Sequence, residues 1–345
     1  MKYLLMILLI GLFIIPVQAT EPTAPTVPEE ASVYMPENTE SFSEGLWYVI
    51  RKGIELVNPQ LHKVMGLCLS LVALALLVSI TGNFTQEKAN ATDLAGCISA
   101  AVLLLSPSGS LIDLGIETVR QIGDYGKLLL PVLTTALAAQ GGVNTSAALY
   151  AGTSIFSAIL SSLLHTVLVP LIYVYLCISV VISAFPNDYL QNIRSFIKWI
   201  MTWTLKIILY VFTGYISITG VIGGGVDASA IKAAKLTLSG VIPVVGSIIS
   251  DASEAILVGA GLVKNGIGVY GLLAVLSIII GPFIKFGIQY LLLKVTGAIC
   301  KTFGTSKISG LIQDFSSIMG FLLGMIGTNG LLLLISIVCY MKGGV

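Results

Sequence analysis

The chain has 345 residues, of which 56% are hydrophobic and only 10% charged, with a net charge of +1 and a mean hydropathy of +0.97. Soluble domains carry about 25% charged residues, so a water-exposed globular surface is excluded, and the lack of a basic excess excludes a nucleic-acid-binding field. What composition leaves is an all-α polytopic integral membrane bundle, helical because lipid offers backbone groups no partner outside the chain itself.

The first element is a signal peptide over residues 1–19. Lys2 gives the positive start, Tyr3 to Ile15 the short apolar core, Pro16 a break, and Val17-Gln18-Ala19 a small-residue cleavage site. An uncut anchor is the competing reading, although so short a core spans a bilayer poorly. Thr20 to Glu44 holds four prolines, six glutamates and no Lys or Arg, the makeup of a solvated flexible segment. Residues 20–60 are therefore expected to form a polar extracytoplasmic leader, and residues 61–345 the membrane domain.

Charge-free runs follow at 64–80, 94–112, 128–187, 207–226, 265–284 and 315–341, the third interrupted only by His165. At about 20 residues per crossing they predict six to eight spans. Arg194, Lys198 and Lys206 form the densest basic cluster and belong in the cytoplasm by the positive-inside rule, with Trp199 and Trp203 beside them as an interfacial belt. An exported N-terminus then demands an odd number of crossings before Arg194. On these runs that requires one re-entrant or half-spanning segment, for which Leu128 to Ala139 is the candidate.

A shift of 112 residues lays Leu130-Pro131-Val132 on Ile242-Pro243-Val244 and Pro170-Leu171-Ile172 on Pro282-Phe283-Ile284. A duplicated unit, over about 94–200 and 206–312 with a final helix at 315–341, explains the match; chance alignment of apolar sequence is the alternative. Pro131 and Pro243 are accordingly expected to sit in broken or re-entrant helices, since proline removes a backbone donor. Gly246 and Ser250 continue the interrupted second segment, which ends at Asp251 and Glu254. Carboxylates there belong at an interface, beside a lysine, or along water, so these six residues are the candidate pathway or gate; an ordinary interfacial loop is the other reading. Gly220 with Gly224, and Gly320 with Gly324, are pairs at the spacing that lets helices approach closely.

No catalytic, cofactor or metal pattern survives inspection, and the chain is expected not to be an enzyme. Gly266-Ile267-Gly268-Val269-Tyr270-Gly271 spells a dinucleotide fingerprint but opens an apolar run and has no acidic residue about 20 positions on. Cys68, Cys97, Cys177, Cys300 and Cys339 are scattered, so buried free thiols are expected. His165 suits either a packed hydrogen-bonded role or a proton path.

The stretch from Lys232 to Asn265, with Pro243-Val244-Val245-Gly246, Ser250-Asp251-Ala252 and Leu262-Val263-Lys264-Asn265, resembles the signature of the stage III sporulation protein AE family of endospore-forming bacteria. The order of signal peptide, leader, Gly-rich spans and final apolar helix is similar to that family as well. The resemblance implies a multi-pass protein of the mother-cell membrane surrounding the forespore. It also implies partners from one sporulation operon: a cytosolic ATPase, ring-forming membrane proteins and, indirectly, a forespore-membrane protein, together a secretion-like channel complex. It carries over no catalytic residues. A stand-alone transporter of a small solute and a structural membrane scaffold are the other functions compatible with the residues.

Overall fold

The computed structural model describes residues 24–37, 41–84, 89–241 and 246–343, with side chains described throughout these except at 83, 84, 89, 90, 217, 219–241 and 246–263. The signal peptide and Pro243 lie outside the described residues. The elements are α1 (Glu29–Ser32), α2 (Phe42–Glu55), α3 (Val57–Phe84), α4 (Ala89–Ala139), α5 (Val143–Leu163), one π turn (Leu164–Leu168), α6 (Val169–Ala184), α7 (Asp188–Val241), α8 (Gly246–Thr302) and α9 (Ser306–Lys342). Among the described residues there is no strand. Six helical stretches are long and apolar enough to cross a membrane: Phe42–Gly82, Ala91–Ala139, Val143–Ala184, Asp188–Ile216, Lys264–Thr302 and Ser306–Lys342. The chain is thus the multi-pass helical membrane protein its composition predicts.

Pro131 does not break its helix. It lies inside the 51-residue α4, as does Pro107, and Pro282 lies inside α8. An interior proline costs roughly 3 kcal/mol. Here Pro131 is on the exposed face, while Leu129, Leu130, Leu133 and Leu137 bury the opposite face of the same turns and hold the helix straight through. Leu128 to Ala139 is therefore the C-terminal end of a long helix and not a re-entrant segment. Three spanning stretches precede Arg194, so the parity that seemed to need a half-span is met without one. Pro170 is the proline that does alter its helix. It opens α6 directly after the π turn Leu164–Leu168, where the lost donor and the ring's clash widen the preceding turn.

The α4–α5 reversal is set by Gly141 at φ 92°, whose N–H bonds to the Ala138 carbonyl while the Gly142 N–H reaches the Leu137 carbonyl. This paired bonding satisfies the last carbonyls of α4, and only glycine adopts the left-handed turn without strain. Gly304, at φ 81°, ends α8 in the same manner, with the Thr305 hydroxyl donating to the Cys300 carbonyl at 2.8 Å. The first of the expected repeat units turns at 140–142, past Pro131; in the second, α7 runs to Val241 and α8 from Gly246, and Pro243 lies outside the described residues.

The leader is not free over its described part. Ser277 of α8 donates to the Tyr34 carbonyl at 3.2 Å, Gln121 of α4 donates to Glu30 at 3.3 Å, and Ala31 and Val49 are buried. Along α2, the small residues Gly45, Val49 and Gly53 share one face, and α8 sits against it: a methyl at Gly53 would come within 2.6 Å of Ile280. Local acidity and proline content predicted a solvated strand of chain; burial of that small-residue face overrides them.

The C-terminal helix is the centre of the bundle. Most of α9 is buried, with Gln313, Gly324, Leu331 and Val338 left exposed along one stripe, and its polar side chains bond to helices on several sides, α4, α5 and α8 among them. Asn329 donates to the Val119 carbonyl of α4 at 2.9 Å, Ser336 meets Thr153 of α5 at 2.9 Å, and Ser309 and Ser316 donate to the Gly297 and Tyr290 carbonyls of α8 at 2.7 and 2.9 Å. Lipid supplies no hydrophobic pressure between helices, so close contact and such bonds hold them together. Gly152 serves the α5–α7 contact in the same way, because the Tyr215 ring occupies the space of its missing side chain and the Tyr215 hydroxyl donates to the Ala148 carbonyl at 2.9 Å. Gly152→Ala is expected to lower stability by about 1–3 kcal/mol through overpacking. Thermal unfolding of the detergent-purified protein measures this, and an unchanged midpoint contradicts it.

Candidate functional site

Polar groups concentrate where α6, α7, α8 and α9 meet. Within this set α7 and α9 lie side by side in the same direction: Arg194 faces Asp314, Lys198 faces Ser317, and Leu205 faces Gly324. Arg194 and Asp314 form an ion pair with side chains 24% and 12% exposed, and the Tyr175 hydroxyl of α6 donates to the second Asp314 oxygen at 3.0 Å. An unpaired carboxylate at this position would be costly in hydrocarbon; here a guanidinium and a phenol satisfy it. At the same end of the bundle Lys307 of α9 pairs with Asp93 of α4 at 3.1 Å.

A groove of about 480 Å³ opens beside the pair, between α7 and α9, with Tyr290 of α8 in its wall. A smaller cavity of about 210 Å³ lies against Ser183, Gln191 and Lys307, and Arg194 and Asp314 line it too. On the outer side of α7, Phe196 stacks on Trp199 at 6.1 Å, Trp199 lies 6.2 Å from Trp203, and the Lys206 ammonium sits 5.8 Å from the Trp203 ring. All three rings are exposed, as an aromatic belt at a membrane surface requires.

The residues anticipated from sequence fall in separate places. Gly320 and Gly324 border the groove: a methyl at Gly320 would come within 3.0 Å of the Tyr290 ring, while at Gly324 the nearest atom, Leu205 Cδ1, is 3.9 Å away. Gly320 thus packs, and Gly324 leaves open space. Pro131 lies far along α4 on an exposed face and joins no polar cluster. Gly246, Ser250, Asp251 and Glu254 belong to the first turns of α8, and Gly220 and Gly224 to α7, but their side chains lie outside the described ones. His165 is exposed on the π turn, so it is not the packed residue anticipated. Gly266 to Gly271 lies in mid-helix α8, where Gly268 abuts Met341 and Gly271 abuts Leu129. Among the described cysteines all are free; Cys68, Cys97 and Cys300 are buried, and Cys177 is exposed.

Sequence reading missed Asp314 and Tyr175. The signal for Asp314 was a lone acid at the edge of the last apolar run, and its partner lies 120 positions away, beyond any local pattern. Lys264, within the quoted Leu262 to Asn265 motif, was missed as well: it is buried and donates to the Gly343 carbonyl at 2.6 Å, placing a cation at the C-terminal end of α9. Among the described residues no group of three His, Cys, Asp or Glu could hold a metal ion. The arrangement offers fixed internal charge and an open amphipathic groove.

No solved structure matches the chain. Stage III sporulation protein AE of Bacillus subtilis (strain 168) is 23% identical over 286 residues, covering 82% of this chain and 71% of that protein. The profile of the family described as stage III sporulation protein AE matches residues 35–344, which take in every helix from α2 to α9. The chain belongs to the stage III sporulation protein AE family.

Proposed function

We propose that this sporulation protein is the multi-pass component, in the mother-cell membrane around the forespore, of a secretion-like complex connecting the two cells, and that it acts there as a non-enzymatic gate. Family membership over nearly the whole bundle carries this reading. A cytosolic ATPase would supply the energy, since the chain has no P-loop of its own, and ring-forming membrane proteins would continue the path toward the forespore membrane.

Within the chain, Asp251 and Glu254, a few turns past the α7–α8 junction that contains Pro243, are assigned to the gate. Pro131 leaves that set because α4 runs through it unbroken. Pro243→Ala and Asp251→Asn are expected to depress late forespore gene expression in sporulating cells in which immunoblotting shows normal protein levels. Normal reporter activity in both strains removes the gate. The filled centre of the described bundle favours a second reading, a scaffold that positions the ring proteins; under it both substitutions are silent while ring assembly fails when the protein is deleted.

A further inference from the structure

We infer that the groove between α7 and α9 is a binding site for one anionic glycerophospholipid from the surrounding bilayer. Its lining contains two lysines, Lys198 and Lys206, and no Asp or Glu. Among the described residues neither lysine has a carboxylate partner: Lys198 donates to the Ser317 hydroxyl at 3.0 Å, and Lys206 lies over the Trp203 ring. The nearby Arg194 is already neutralised by Asp314, so the uncompensated charge falls in the groove.

The rest of the lining suits acyl chains. Leu205 and Leu209 of α7 face Phe321 and Leu323 of α9 across the groove, and Gly324, exposed and without close neighbours, leaves a channel that a side chain would fill. The Trp199 and Trp203 belt sits on the same stretch of α7 as both lysines, which puts the cationic mouth at headgroup depth. A basic pocket between transmembrane helices at that depth selects a headgroup of net negative charge. A soluble anion would use the lysines but not the apolar walls, and a zwitterionic lipid, whose phosphate is balanced by its own cation, would use the walls but gain little net attraction from the lysines.

Tryptophan quenching tests this. The protein has three tryptophans, and Trp47→Phe leaves Trp199 and Trp203 as reporters in the full chain, reconstituted in phosphatidylcholine vesicles. Bromine-labelled phosphatidylglycerol at a low mole fraction is expected to occupy their vicinity on the order of tenfold more than bromine-labelled phosphatidylcholine, from a few-fold per lysine. Each variant is normalised to its own unquenched emission. Lys198→Gln with Lys206→Gln should abolish the preference, and Lys198→Arg with Lys206→Arg should keep it. Gly324→Leu, which retains both charges but fills the channel, should abolish it too. Equal quenching by the two lipids overturns the site, as does persistence of the preference in the glutamine variant. Persistence in Gly324→Leu reduces the effect to general surface attraction, and relief of quenching by inorganic phosphate identifies a free-anion site; either overturns the proposal.

Discussion

Asp314→Ala is expected to destabilise the bundle by about 3–5 kcal/mol, because removing one member of a largely buried ion pair strands the other. Arg194 would keep its charge in a site 24% exposed, with no carboxylate to meet it, and Tyr175 would lose its acceptor. The partial exposure of Arg194 places the effect toward the lower end of that range. The double variant Arg194→Met, Asp314→Leu should recover most of the loss, since replacing a buried pair by apolar residues of similar volume is often neutral or stabilising. Asp314→Asn, which still offers Tyr175 an acceptor, should fall between. Thermal unfolding of the purified protein in one detergent measures all three. Equal destabilisation by the single and double changes would show that volume, and not charge, dominates this contact.

Phe315→Ala, one residue on, should cost a similar amount for a different reason. Phe315 is fully buried in the central helix, and deleting a buried phenyl ring typically costs about 3–5 kcal/mol through lost contacts and the cavity left behind. No charge change elsewhere should rescue it. Phe315→Leu, which conserves most of the volume, should cost under about 1.5 kcal/mol. The same melting experiment separates the two neighbours: rescue by a second substitution at Arg194 belongs to Asp314 alone. A Phe315→Ala protein melting with the parent would mean that α9 can collapse around the gap and is less central than its burial indicates.

Helical class, membrane character and family were legible because each rests on dense local signal. Charge-free runs of span length admit one backbone solution in lipid; five of the six named runs fall within single helices, and the sixth, 128–187, covers the end of α4 and the whole of α5 and α6 with the turns between them. Residues whose partners are remote were not legible. Arg194 read as a topological marker, and only the fold brings it against Asp314. Gly45 and Gly53 fall inside the stretch 20–60 expected to be a polar leader, and only the presence of α8 turns them into a packing face. Pro131 looked like a break by its spacing, but α4 runs through it, because the buried leucines around it outweigh the lost donor. Small polar residues in an apolar helix, such as Ser309, Ser316, Asn329 and Ser336, were the unused clue to the central position of α9, since a lipid-facing helix has no use for hydrogen-bonding side chains at that density.

That central position also orders biogenesis. A ribosome delivers α9 after α2 to α8. Until then Val119, Gly297 and Tyr290 offer carbonyls, and Thr153 a hydroxyl, to a partner that has not been synthesised. The earlier helices can pack on one another through α4 and α8, but their hydrogen bonds to α9 close only once that helix has inserted.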